Sequence, residues 1–286
     1  MPELPEVETV VKGLRRTVLG KTVRKVRVQA PPTSIVVSPS FGNRRFGRII
    51  EGKTVLSVDR RGKNILISLS DEIVLWVHLK MTGHFFLPSR TQPLDKHDLV
   101  IFDFVPQATS GDRHHLRFND YRRFGRLRLF YESELWQQEG LAELGPEPLE
   151  TTPEQFIALC KSTRRMIKPA LLDQAFLAGL GNIYADESLH ASRIHPKRLT
   201  SSISTRKLAE LHGNIQRLLK LAIRKMGTSV DSFSGINGQP GRFQKYLKVY
   251  GNEGDPCEFC GTKIIREKIG SRSSHFCPRC QRAPGY

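Results

Sequence analysis

The chain has 286 residues, with 38% hydrophobic and 26% charged content, enough for two ordinary domains with a buried core. Disorder and collagen-like repetition are excluded. No apolar run reaches the roughly 18 residues of a membrane span, and the opening MPELPEVETV carries acids where a secretory leader carries bases. The expectation is a soluble, cytoplasmic chain with no membrane partner. Lys+Arg 45 against Asp+Glu 28 leaves +17, a sign that points to a polyanion such as nucleic acid. Residues 1–159 hold 23 basic and 19 acidic side chains, net +4, and residues 160–286 hold 22 and 9, net +13. The phosphate-binding surface is therefore expected in the second half.

The first element reads as a helix. Val7, Val10, Val11, Leu14 and Val18 recur at helical spacing behind Pro5, with Glu6 and Glu8 in the first turn. Strand-like runs follow at 22–28, 54–58, 64–69, 73–79, 99–104, 115–118 and 126–130, separated by Gly, Asp and Asn, which predicts a β-sandwich or barrel over residues 1–140. GLAELGPEPLETT has no strand pattern and reads as a linker over 141–152. Helical runs are expected at 153–160, 168–173, 183–190 and 204–225. A glycine-rich segment, 227–241, reads as a mobile loop of the kind that closes over a site. The fold class is thus α+β in more than one domain.

Near the end, Cys257, Cys260, Cys277 and Cys280 form two C-x2-C pairs separated by 16 residues. That spacing suits four thiolates around one tetrahedral Zn2+, with a β-hairpin between the pairs. Disulfides are the alternative, disfavoured for reduced thiols in a chain without a secretory leader. Four thiolates close the coordination sphere, so the metal is expected to be structural. Lys263, Arg266, Lys268 and Arg272 lie between the pairs, opposed only by Glu267, giving a basic finger suited to phosphates. Cys160, inside an apolar helical run, reads as a buried small hydrophobe.

Six segments in order, MPELPEVET, HLKMTG (78–83), YRRFG (121–125), LGPEPL (144–149), GLGNIYADESL (179–189) and the four-cysteine finger, closely resemble formamidopyrimidine-DNA glycosylases. The resemblance runs from the first residue to the last cysteine pair. It implies an N-terminal β-sandwich domain (1–140), a helix-two-turns-helix DNA-binding domain (153–250) and a zinc finger (251–286). It further implies a monomeric bacterial base-excision repair enzyme acting on damaged double-stranded DNA, close to the nucleoid. Such an enzyme removes oxidised purines and then cuts the abasic strand by β- and δ-elimination, without a redox cofactor or catalytic metal. The sister endonuclease VIII, which prefers oxidised pyrimidines, is the alternative.

The resemblance also implies roles residue by residue. With Met1 removed, Pro2 is a secondary amine that attacks C1′ of the sugar, and Glu3 protonates the ring oxygen. Read alone, the same residues are simply a helix start. Lys63 in RRGKNIL matches a catalytic lysine that contacts the phosphate beside the lesion; read alone it is a surface lysine at a strand start. Arg272 matches a finger arginine implicated in δ-elimination. Met81, Arg122 and Phe124 match the trio that fills the hole left by an extruded base, although Met81 and Phe124 also suit a core. His97, Arg164 and Asn182 match DNA contacts, Asn182 at a helix start where backbone N–H groups bind anions. The segment 227–241 corresponds to the lesion-capping loop, and Arg242 beside it is placed to help close it. Two features depart from the pattern: Lys80 stands where many relatives have glycine, and 107–113 is longer than usual.

Overall fold

A computed structural model describes residues 1–29, 35–37, 40–42, 45–89, 91–105, 115–229 and 233–283; the long segment 107–113 lies outside these. The chain divides into two compact units, Met1–Ala142 with Met226–Arg242, and Glu143–Lys225 with Phe243–Tyr286.

The first unit opens with α1 (Leu4–Val18), whose Val7, Val10, Val11, Leu14 and Val18 are buried as the helical spacing predicts. Arg15 and Arg16 in the last turn complement the helix dipole. Among the described residues, nine strands follow: β1 (Val23–Val28), β2 (Val36–Val37), β3 (Val55–Arg61), β4 (Asn64–Leu69), β5 (Ile73–His78), β6 (His84–Phe86), β7 (Asp98–Phe104), β8 (His115–Asn119) and β9 (Arg126–Tyr131). Two short helices, α2 (Phe46–Ile50) and α3 (Glu132–Leu135), complete this part. One sheet has the order β1-β7-β8-β6 and the other β2-β9-β5-β4-β3. Every described pairing is antiparallel except β2 with β9. Inward residues of both sheets, among them Val26, Phe102, Ile65, Leu75 and Leu127, join the apolar stripe of α1 in one core. This is a β-sandwich with a helix against it.

All seven expected strands form. The period-2 signal missed β2 and β6, of two and three residues, which are too short to show alternation. The 226–242 stretch, grouped by sequence with the helical part, packs with the first unit. Ile236 is 2% exposed within the sandwich core, and its carbonyl accepts the Leu87 N–H at 3.0 Å. Gly13 on α1 leaves room for it, since a Cβ there would stand 2.8 Å from Ile236. The described part of the expected loop is therefore fastened at its middle.

The second unit contains α4 (Pro153–Lys161), α5 (Ile167–Leu172), α6 (Asn182–Ala191), α7 (Thr205–Arg224) and the hairpin β10 (Ile265–Ile269) with β11 (Arg272–Phe276). Thr152 and Gln155 exchange side-chain to backbone hydrogen bonds at the start of α4, a capping box ahead of Pro153. Ser204 caps α7, which buries Leu208, Leu211, Ile215, Leu219 and Ala222. Cys160 is fully buried, and burial pushes its thiol up to about 12, consistent with an inert core position.

The Gly/Pro-rich stretch read as a linker is tightly held within this unit. The Gly145 N–H donates to Gln174 O at 2.9 Å, and the Ala178 N–H to Pro146 O at 3.0 Å. A Cβ at Gly145 would lie 2.5 Å from the Ala175 carbonyl oxygen. Its glycine answers a close backbone approach, a use of glycine that composition does not separate from flexibility.

Ile236→Ala is expected to destabilise the protein by about 2–5 kcal/mol, the usual cost of emptying a core site. Hydrogen exchange should show the loss concentrated in residues 233–241. Protection there equal to wild type would show that Ile236 does not fasten the segment.

Candidate active site

Glu3 is the N-cap of α1, in extended backbone (φ −98°, ψ −174°) and 3% exposed; Pro2 before it is half-buried. The carboxylate of Glu6 fixes this turn: Oε2 accepts the Glu3 N–H at 2.9 Å and Oε1 accepts the Thr228 N–H at 2.7 Å. Gly227 makes the second contact possible, with φ +77° and the place of its missing Cβ 2.7 Å from Glu6 Oε1. The first turn of the chain and the root of the 226–242 segment are thus held by one side chain.

Lys63 sits between β3 and β4, beside Gly62 at φ +57°. It is 5% exposed, so it is a buried lysine rather than a surface one. Arg60 secures its hairpin, donating through Nη1 to Gly62 O at 2.9 Å and pairing through Nε with Glu8 of α1 at 3.2 Å. The first unit therefore contains a carboxyl at the positive end of a helix and a buried ammonium on a hairpin tied to that helix. Such groups suit proton transfer to and from a reacting sugar.

Met81, Arg122 and Phe124 occupy two turns organised by Asp120, a fully buried residue that the sequence reading did not single out. Its Oδ1 accepts from Thr82 Oγ1 in the first turn and from the Arg122 N–H at 3.2 Å in the second; Oδ2 accepts the Gly125 N–H at 2.7 Å. Gly83 and Gly125 allow both turns to close on Phe118, whose ring tip would lie 2.8 Å and 2.7 Å from their added Cβ atoms. Met81 is 38% and Phe124 47% exposed; neither is core. The Arg122 guanidinium lies 4.7 Å from the centre of the Phe124 ring, a cation–π contact that holds the pair as one projection. His97 adjoins this turn: its carbonyl accepts the Asp120 N–H at 3.0 Å, and its ring meets Tyr121 edge-on at 6.5 Å.

His78, at the end of β5, accepts the Lys80 N–H on Nδ1 at 2.9 Å. Burial, followed by the charges of Lys80, Lys63 and Arg128, lowers its pKa to about 3, so the ring stays neutral across the working range.

In the second unit, Asn182 begins α6 behind Gly181, and its Oδ1 is buried without a partner. Arg164 is exposed between α4 and α5. Arg272 is exposed at the start of β11, paired across the hairpin turn with Ile269. A buried ion pair between Lys168 Nζ and Asp186 Oδ1, at 2.6 Å, anchors that hairpin. Lys168 also donates to Ser273 O at 2.7 Å, and Asp186 Oδ2 accepts the His275 N–H at 2.9 Å. Both strand contacts lie within three residues of Arg272. Next to Asp186, Glu187 accepts the N–H groups of Lys248, Val249 and Tyr250, and burial pushes it up to about 7. An acid pair inside the buried helix α6 is the signal by which sequence could have found this anchor, because unpaired acids are rarely buried.

The four Sγ atoms of Cys257, Cys260, Cys277 and Cys280 lie within 4.8 Å of one another. Two measured edges, 3.5 Å for Cys260 to Cys277 and 3.9 Å for Cys257 to Cys280, bracket the roughly 3.8 Å expected for a tetrahedron of Zn–S bonds near 2.3 Å. His190 Nε2 stands 3.4 Å from Cys257 Sγ, a buried ring able to donate to a metal-bound thiolate. The residues fit one structural zinc.

The family model for the formamidopyrimidine-DNA glycosylase N-terminal domain matches residues 1–127, that for the formamidopyrimidine-DNA glycosylase H2TH domain residues 144–234, and that for the zinc finger found in FPG and IleRS residues 254–283. Formamidopyrimidine-DNA glycosylase of Ligilactobacillus salivarius is 42% identical over 283 residues, covering 98% of this chain and 99% of its own. That of Pelotomaculum thermopropionicum is 43% identical over 284 residues, covering 99% of each. Among solved structures, Lactococcus lactis Fpg bound to abasic-site DNA aligns with a TM-score of 0.87 at 32% identity, over 98% of this chain and 100% of that one. The wild-type protein from that organism bound to DNA containing N7-benzyl-Fapy-dG aligns with a TM-score of 0.88 at 33% identity, over 99% and 100%.

Asp120→Ala leaves several buried donors unsatisfied, at about 1–3 kcal/mol for each. It is expected to lower stability measurably and to weaken binding to a duplex containing an abasic-site analogue more than to undamaged duplex. Equal weakening on both would show that the two turns do not serve lesion recognition. For His78, the folded pKa is depressed from 6.5 to about 3, so between those values the unfolded chain holds the extra proton. Its contribution to stability is present above pH 6.5 and is lost as pH falls toward 3. Urea unfolding of His78→Gln should therefore show a shallower decline than wild type below pH 6.5; parallel curves would refute the neutral ring.

Proposed function

The chain belongs to the formamidopyrimidine-DNA glycosylase family, and from that premise we propose that it is a bifunctional glycosylase and abasic-site lyase that excises oxidised purines, 8-oxoguanine and formamidopyrimidines, from duplex DNA. The observation that carries this reading is the fixed first turn: Glu3 is buried at the head of α1, its N–H gripped by Glu6, which presents whatever precedes it in one place.

Once Met1 is removed, that group is the secondary amine of Pro2. An α-amino group titrates at roughly 8, and the helix terminus lowers this further, so a reactive neutral fraction exists near pH 7. The nitrogen lone pair forms the bond to C1′ while the base leaves with the electrons of the glycosidic bond. Glu3 delivers a proton to the ring oxygen as the sugar opens to the Schiff base. Water takes the C2′ proton, the C–H electrons form the C2′–C3′ double bond and the 3′ phosphate leaves with the C3′–O electrons, with Lys63 as proton donor; a second elimination expels the 5′ phosphate, in which Arg272 takes part. Met81, Arg122 and Phe124 fill the gap in the stack. His97, Arg164 and Asn182 hold phosphates, setting affinity and its salt dependence rather than lesion choice. Zinc shapes the finger and enters no step. The protein acts as a monomer in the bacterial cytoplasm, at the nucleoid; among the described residues, no helix is long and apolar enough to cross a membrane.

Borohydride reduction should trap a covalent adduct between protein verified to begin at Pro2 and a duplex containing 8-oxoguanine, with less adduct on an oxidised pyrimidine. Preference for the pyrimidine would transfer the chain to the endonuclease VIII specificity, and no adduct on either would end the lyase reading. Protein retaining Met1 should bind DNA without forming the adduct.

A further inference from the structure

One end of the five-stranded sheet carries a group of cations that form no ion pair among the described residues. Cross-strand pairing sets Trp76 opposite Arg128 and His78 opposite Arg126. These four therefore share the face opposite the apolar stripe of Leu75, Val77, Leu127 and Leu129 that enters the core. Lys80 follows His78 by two residues, in left-handed backbone at φ +53°. The Arg128 guanidinium lies 5.0 Å from the Trp76 ring centre, and its Nε is buried without a partner. Arg126 Nη1 donates only to carbonyls, those of Phe124 and Gly125, each at 2.9 Å.

Three cations whose side chains are largely buried are paired with acids: Lys168 with Asp186, Arg117 with Asp98 and Arg60 with Glu8. Lys80, Arg126 and Arg128 form no ion pair among the described residues. Burial lowers the pKa of Lys80, and Arg126 and Arg128 lower it further; burial and Arg126 do the same to Arg128, with Glu139 acting weakly in the opposite sense. Grouping like charges in a partly desolvated place is unfavourable unless an anion from outside supplies the countercharge. A phosphodiester meets the requirement, since its two free oxygens accept a guanidinium fork and an ammonium together.

We propose that Lys80, Arg126 and Arg128 form a phosphate-binding cluster that takes up the DNA backbone beside the Met81 turn. The source is fixed by position: Lys80 adjoins Met81, and Arg126 contacts the carbonyls of the Phe124–Gly125 turn. This inference rests on the proposed reading of those turns as the part of the protein that enters the duplex. Contacts to phosphates carry no base identity, so the cluster adds affinity rather than lesion choice.

The test is the salt dependence of binding to a duplex carrying a tetrahydrofuran abasic analogue, for wild type, Lys80→Gln, Arg126→Gln and Arg128→Gln, with Lys25→Gln as a control. Lys25 is exposed on β1, in the other sheet, and reports the effect of lost net charge alone. Each cluster variant is expected to reduce the slope of log Kd against log salt by about 0.9, the value for one phosphate contact on duplex DNA, while Lys25→Gln keeps the wild-type slope. Arg128→Gln also loses the Trp76 contact, so Lys80→Gln and Arg126→Gln, checked for unchanged melting, decide the matter. Wild-type slopes in both overturn the cluster. Borohydride trapping of the wild-type protein separates the two claims: no adduct removes the enzymatic reading and leaves the slopes to be judged, whereas a normal adduct with unchanged slopes removes the cluster alone.

Discussion

A chain terminus is the segment least able to hold a position, because it has neighbours on one side only and frays unless tied down. In this protein the terminus is the proposed nucleophile, so the constraint on which everything else depends is the grip of Glu6. One carboxylate takes the N–H of Glu3 and the N–H of Thr228, the latter 222 positions from Glu6 in sequence. It satisfies a donor at the start of α1 that the helix itself leaves open, and it makes the root of the 226–242 segment part of the same turn. The arrangement is unforgiving: Gly227 has a backbone conformation that other residues avoid, and a Cβ on Gly241 would fall 2.3 Å from the Gly227 carbonyl oxygen. Two glycines that composition reads as loop flexibility serve here for close approach, Gly227 against the Glu6 carboxylate and Gly241 against the backbone of Gly227.

The elements with strong periodicity were legible in the sequence. Val7 to Val18 mark α1, alternation marks seven strands, and the cysteine spacing marks the finger, because in each case the signal is local and repeats at the period of the structure. The candidate site was named through motifs, which pick out side chains without saying what holds them. Lys63 illustrates the gap: its sequence context is that of an exposed strand start, yet on the β3–β4 hairpin, which the Arg60–Glu8 pair ties to α1, it is 5% exposed. Asp120 and the Lys168–Asp186 pair were missed for a related reason. Asp120 joins its own turn to Thr82, 38 residues away, and Lys168 and Asp186 reach the backbone of Ser273 and His275; a lone acid carries no pattern until such partners are known.

The finger shows how such a pair works. A hairpin of two five-residue strands is marginal by itself, and zinc fixes only the cysteine end. The far end, where Arg272 stands, is held by Lys168 and Asp186 through the backbone of Ser273 and His275. A buried ion pair contributes little net stability when compared with an apolar pair of similar size, but removing either partner is costly. Its contribution here is to position. It joins α5 and α6 to one strand in one register, as Gln281 does beside the metal by donating to Ile194 O and accepting the Cys277 N–H.

These contacts alter the meaning of the net charge. The balance of +17 counts every acid as though it faced solvent. Glu6, Asp98, Asp120, Asp186 and Glu187 do not: all are buried, serving as acceptors for backbone N–H groups or for buried cations. The acids withdrawn into the architecture outnumber Lys168 and Arg117, the cations buried against two of them. The surface left behind is therefore more positive than composition indicates, and the effect reaches residues 1–159, where the sequence balance is only +4. There, Asp120 faces inward to shape the turns of Met81 and Arg122, while Lys80, Arg126 and Arg128 nearby are left without acids. A half of the chain that looks nearly neutral in sequence can in this way present a concentrated positive site where its chemistry requires DNA to come close.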